Sequence, residues 1–177
     1  MKRIKFLLVL FLVVLVSCER DDICAETTPT TPRLLIEFYD AGSPEDLKSV
    51  PRLTLYGEGL ATDPVEPSSS TLIFNSNSNS IELPLIVGPE NETTTTRFIL
   101  EQNSNLRIDE TGTSNIDIIE ITYTSEFQYV SRACGFKSIF TNLNLTVDDD
   151  TDNWISSIDI IEPTVENENT VHVHIFH

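Results

Sequence analysis

Residues 119–129 read "IEITYTSEFQY". Ile119, Ile121 and Tyr123, then Phe127 and Tyr129, place a large apolar or aromatic side chain at alternate positions. A period of two sends successive side chains to opposite faces of an extended chain, so both runs predict half-buried strands rather than helix.

The same period recurs outward in both directions. Toward the N-terminus it is carried by Leu34, Ile36 and Phe38; Leu53 and Leu55; Leu72 and Phe74; Ile81, Leu83, Leu85 and Val87; and Phe98 and Leu100. Toward the C-terminus it is carried by Ile139, Leu143, Leu145 and Val147; Ile158 and Ile160; and Val171, Val173 and Ile175. Turn-forming clusters separate the runs: "NSNSNS" at 75–80, "GPENETTTT" at 88–96 and "DDDTDN" at 148–153. Only "SPEDLKSV" at 43–50 predicts helix, a turn or two, with Ser43 as N-cap and Pro44 at the first helical position. Short strands with one apolar face each bury best as two packed sheets. The expected fold is therefore all-β, an antiparallel β-sandwich of about eight to ten strands, with a closed barrel as the alternative. Pro84 cannot donate to a ladder and places its strand at an edge or a bulge. Residues 33–177 suffice for one core and leave little for a second.

The first residues are of another kind. Lys2, Arg3 and Lys5 precede an unbroken apolar run from Phe6 to Val16, the pattern of an export signal. A membrane-spanning helix needs roughly 20 apolar residues, so this run is too short to remain as one. Leu15-Val16-Ser17-Cys18 resembles the lipobox of bacterial lipoproteins. That resemblance implies removal of residues 1–17 and acylation of Cys18, which then anchors the chain in membrane lipid. Each buried methylene contributes about 0.8 kcal/mol, so several acyl chains hold stably where a single one is marginal. Glu19-Arg20-Asp21-Asp22 resembles the tetrapeptide that directs some lipoproteins of Bacteroidota to the outer face of the outer membrane; a solvated spacer is the alternative reading. Residues 18–32 are polar, Thr-rich and Pro-punctuated, and read as a tether.

Charge narrows the partners. The chain carries 11 Lys and Arg against 28 Asp and Glu, a net −17. Without the signal the balance is 8 against 28, or −20. Such a surface repels phosphate, which disfavours nucleic acid and electrostatic docking on lipid. Three cysteines are an odd number for an exported protein. With Cys18 acylated, Cys24 and Cys134 remain, either bonded to one another in an oxidising compartment or left as two thiols.

No grouping of residues nominates a reaction. Asp148, Asp150, Asp152 and Asp159 superficially match a calcium loop, but Asn153 stands where the sharp turn needs glycine, so a solvated hairpin turn is expected. His172 and His174 share a strand face near His177; two ligands are too few for a metal, and an outer, exposed face is expected for them. Tyr39, Tyr56, Tyr123, Tyr129 and Trp154 suit packing in or across strands, with sugar stacking as the alternative. Nucleophile elbows, zinc-protease helices and phosphate loops are absent from the sequence.

The lipobox, "DDICAETTPTTPRLLIEFYD" at 21–40 and "ACGFKSIFTNL" at 133–143 together resemble a domain-of-unknown-function family of small Bacteroidota lipoproteins. The resemblance implies a secreted, lipid-anchored domain and carries no catalytic residues or cofactor. The expectation is a non-enzymatic envelope module with an envelope protein as partner, the alternative being a surface module that binds glycans or cations. Exposure separates them: three or more aromatics on one outer face favour glycan, and an apolar patch near a sheet edge favours a protein.

Overall fold

The computed structural model describes residues 23–25, 28 and 30–177. The expected signal and Cys18 lie outside the described residues.

The two runs at 119–129 are one strand, β7 (Asn115–Ser131), paired antiparallel with β8 (Gly135–Val147). On its other side β7 pairs with β6 (Thr93–Gln102), from Thr93 opposite Thr124 to Gln102 opposite Asn115. Strands β3 (Val50–Gly57) and β4 (Thr71–Ser78) complete this sheet in the order β4-β3-β6-β7-β8. In the second sheet β1 (Leu34–Asp40) pairs on one side with both β2 (Ser43–Leu47) and β5 (Ser80–Leu83). On the other side it meets β10 (Val173–Phe176), which pairs with β9 (Ser157–Ile160).

The architecture is the expected β-sandwich of ten strands, with one difference: β1 and β10 run parallel. A parallel pair needs a long crossover, and here the rest of the domain supplies it. One apolar cluster spans both sheets, with Leu34, Ile36 and Phe38 of β1 and Val173 and Ile175 of β10 facing Leu53, Leu55, Phe98, Leu100, Ile119 and Ile121. Each such side chain stabilises the fold by about 1.5–3 kcal/mol when fully buried.

Three bulges shift the inward phase from the expected one. Asn142 takes φ 56°, and inward residues change from Phe140 to Leu143 and Leu145, leaving Ile139 only half-buried. Asn75 takes φ 46° in β4, where Ile73 packs on the core while Leu72 is exposed. Arg52 takes φ 49°, so that Val50 and Leu53, three apart, are both buried. Asparagine tolerates this left-handed region, and the extra residue turns the strand over.

The helix expected at 43–50 is instead strand β2, exposed throughout and paired to β1 through Leu47 and Ser43. The Asp40 carboxylate accepts the Gly42 N–H at 2.7 Å and closes a tight turn, after which pairing along β1 satisfies more backbone than one isolated helical turn can. Pro84 directly follows the last residue of β5 and ends it. One helical turn that the sequence pattern did not suggest, α1 (Ser104–Ile108), joins β6 to β7.

Candidate functional site

Ladder pairing between β6 and β7 stops at Thr124, so beyond Ser125 the β7–β8 hairpin continues as a two-stranded ribbon. Such a ribbon is marginal in water on its own. Four contacts support this one. Cys24 is bonded to Cys134 at the turn, with Cα atoms 4.9 Å apart. The Ser138 N–H donates to Thr31 Oγ1 at 3.0 Å, bringing the end of the tether against β8. Phe140 exchanges backbone bonds with Val165 at 3.1 and 2.7 Å on the open edge of β8. At the turn the Cys134 N–H donates to Ser131 Oγ at 3.0 Å, and Gly135 takes φ 70°, where a glycine fits without strain. Of the two readings of Cys24 and Cys134, the bonded one holds.

The side chains on the inner face of β7 are buried through Ser125, and then the covering sheet ends. Phe127 and Tyr129 continue the same face at 42% and 60% exposure, and Phe136, opposite Tyr129 on β8, is 66% exposed. Tyr129 and Phe136 meet edge to face, centroids 5.4 Å apart and planes at 71°. Arg132 is exposed at the turn, and Lys137 Nζ donates to the Glu166 carbonyl at 2.9 Å.

The five aromatics singled out from sequence are dispersed. Tyr56 and Tyr123 are buried; the Tyr123 hydroxyl donates to the Ile86 carbonyl at 2.8 Å and lies 2.5 Å from Thr96 Oγ1, and burial pushes its phenol up. Tyr39 lies across β1 against His174 and Phe176, its hydroxyl donating to Glu37 at 2.8 Å, a bond that raises its pKa. The Trp154 indole donates to the Leu100 carbonyl at 3.3 Å and packs on Phe38. Only Tyr129 falls in the exposed set, and its companions Phe127 and Phe136 were not singled out as site residues. Phe127 was legible as a strand residue two positions before Tyr129; nothing in the sequence marks Phe136 as its neighbour until the hairpin register is known.

The histidines do not share an exposed face. His172 is buried, contrary to expectation: it precedes β10, its Nδ1 accepts the Leu35 N–H at 3.1 Å, and its own N–H donates to the Leu35 carbonyl. Burial holds the His172 imidazole below its ordinary pKa, and the same cause lowers His177, which sits edge-on to Phe38 and Trp154. The acidic loop spends its carboxylates locally. Asp148 pairs with Arg97, Asp150 accepts the Asp152 N–H at 2.7 Å, and Asp159 is paired in β9 opposite His174. Arg97 also meets Glu58 and Glu120, and these carboxylates push its pKa up. Among the described residues no group of three or more His, Cys, Asp or Glu converges on a metal position.

One groove is mostly apolar, about 460 Å³, lined by Gly57, Leu60, Pro84, Leu85, Ile86 and Phe98 together with Glu58, Thr95, Thr96 and Arg97. It opens where β3 ends opposite Phe98, and Leu60 and Ile86 are well exposed on its rim.

The Family of unknown function (DUF6452) matches residues 52–177, from within β3 to the last residue. The chain belongs to this family. The DUF6452 match takes in the hairpin, Cys134 and the groove, whereas β1, β2 and Cys24 precede it. Sheet pairing nevertheless places β1 beside β10 in the middle of its sheet, so the matched segment and the strand before it share one core. No curated protein and no solved structure matches the chain.

Proposed function

We propose that this DUF6452 protein is a lipid-anchored domain of the cell envelope, of the kind found among small lipoproteins of Bacteroidota. In this reading it is held through an acylated Cys18 and works without catalysis as a structural or protein-interaction module. The observation that carries the reading is the Cys24–Cys134 bond, six positions after the cysteine of the lipobox-like stretch. Disulfides persist in oxidising compartments outside the cytosol, which agrees with export. The bond also redirects tension. A pull applied at Cys18 reaches the domain through Cys134, in the turn between β7 and β8, the two longest of the described strands, besides the backbone that leads to β1. The apolar groove rimmed by Leu60 and Ile86, beside the end of β3, supports a protein partner. Three exposed aromatics on one ribbon face meet the exposure pattern expected of a glycan module, but the edge-to-face Tyr129–Phe136 pair offers no common flat platform for a sugar ring.

Metabolic labelling with a fatty-acid probe tests the anchor. The parent chain is expected to take up label and to fractionate with membranes, and Cys18→Ala to remain unlabelled and unprocessed. An unlabelled parent overturns the reading.

A further inference from the structure

The end of the β7–β8 ribbon combines three properties. Its inner face carries Phe127, Tyr129 and Phe136, all substantially exposed. Its sequence is free of carboxylates: from Phe127 to Val147 there is no Asp or Glu, yet Arg132 and Lys137 are both present, in a chain with 28 acidic residues. Its position is set by the disulfide, which leaves five residues between Cys18 and Cys24, a reach of at most about 20 Å. The other end of β7 is far away, because 17 residues of strand span roughly 55 Å.

We infer that this ribbon end seats on the bilayer that holds the chain, with Phe127, Tyr129 and Phe136 in the headgroup zone and Arg132, at the turn, toward lipid phosphates. The inference rests on the lipid-anchored reading above and adds a second, protein-borne contact to it. Net charge alone argues against docking on lipid, but at physiological ionic strength charges are screened within about 8 Å, so a headgroup feels the ribbon end and the short stretch Glu19-Arg20-Asp21-Asp22 rather than the acidic remainder of the domain. Of the carboxylates beside the ribbon, Glu90 is bridged to Ser125 at its base on the β7 edge, and Glu126 alternates with Phe127 and so faces away from the aromatic side. Glu126 accepts a bond from Thr141 at 2.8 Å, Glu166 lies along the open edge of β8, and Glu168 accepts the Arg33 N–H at 2.8 Å. Lys137, which alternates with Phe136 and donates to the Glu166 carbonyl, lies on the other face of the ribbon and leaves Arg132 as the cation at the tip. Tyrosine and other amphipathic aromatics favour the membrane–water interface, where ring and hydroxyl are both satisfied.

Trp154 is the sole tryptophan and packs beside Leu100 near the start of β7, so it serves as an internal control. The full chain, purified from a host that processes lipoproteins, is reconstituted in phosphatidylethanolamine–phosphatidylglycerol vesicles with brominated acyl chains. The parent protein is expected to keep its emission. Phe136→Trp is expected to add blue-shifted emission that brominated lipid removes. Tyr129→Trp on the same face serves in its place if that variant does not fold. Mass analysis of the N-terminal peptide from the same sample reads acylation separately, so loss of the anchor and loss of the ribbon contact are told apart. An added indole that brominated lipid leaves unquenched overturns the inference, whether or not the chain is acylated. So does an added indole that responds to soluble envelope polysaccharide and not to vesicles.

Discussion

Removing the disulfide tests how the tether and the ribbon depend on one another. Cys24 and Cys134 are 110 positions apart. For a loop of that length the chain-entropy expression gives about 16 cal/mol/K, or roughly 4.8 kcal/mol at 25 °C, lost from the unfolded chain when the bond forms. Part of that stabilisation is offset in the native state, because the cross-link also holds the tether in place, and ordering each residue costs about 1–2 kcal/mol. The docked portion is short: Pro32 is buried, the Arg33 N–H donates to Glu168 at 2.8 Å, and Thr31 meets Ser138. The net expectation for Cys24→Ser with Cys134→Ser is a loss of about 3–5 kcal/mol, and a melting temperature lower by roughly 6–20 °C. Urea unfolding followed by Trp154 emission reads the global term. Amide exchange reads the local one, with protection falling first at 127–131 and 135–139, where only two strands pair with each other. A loss below about 1 kcal/mol, or ribbon amides as protected as before, would refute the reasoning.

Three further outcomes are expected. Asp117→Asn should destabilise by about 1–3 kcal/mol in denaturant titration, because the buried carboxylate accepts the Trp154 and Ile155 N–H groups at 3.3 and 2.8 Å and an amide offers one oxygen for both. Gly88→Ala should cost about 1–3 kcal/mol, since its added Cβ would stand 1.9 Å from Thr94 Oγ1; an unchanged unfolding midpoint would contradict the packing. Stability should fall as pH is lowered from 7 to 5. Burial depresses His172 and His177 in the folded state, so below about pH 6.5 the unfolded chain binds more protons, with a slope of at most about 1.4 kcal/mol per pH unit for each histidine. His172→Gln should flatten that slope, and a flat parent profile over the same range would count against both assignments.

Most of the sandwich was legible because its strands obey a period of two where they are regular. Ile119, Ile121 and Tyr123 fall inward as their spacing requires, and so do Leu34, Ile36 and Phe38. The failures have local causes. Arg52, Asn75 and Asn142 insert left-handed residues that turn a strand over, and a polar residue in a loop-like position carries no sequence sign that it is a bulge. Alternation puts His172 on the outer face, and the structure reverses this because its partner, the Leu35 backbone, belongs to a strand 137 positions away. Segment 43–50 carries good helix-start chemistry, and only the waiting edge of β1 overrides it.

The candidate site divides in the same way. Counting cysteines offers Cys24 with Cys134 as one of two readings and the register of the tether against β8 decides it, whereas the bare aromatic face depends on the relative lengths of the two sheets. The alternation of Phe127 and Tyr129 with their neighbours is identical in kind to that of Ile119 and Ile121, so sequence alone assigns all four to a core. What separates them is coverage. Opposite the 17-residue β7 and 13-residue β8 stand β1 with seven residues and β9 and β10 with four each. At about 3.3 Å per residue, strands of four to seven residues shield roughly 13–23 Å along the sheet, less than half the length of β7. An apolar face that outruns its partner sheet must end in solvent or against something else, and the disulfide at its tip fixes which end of the molecule that is.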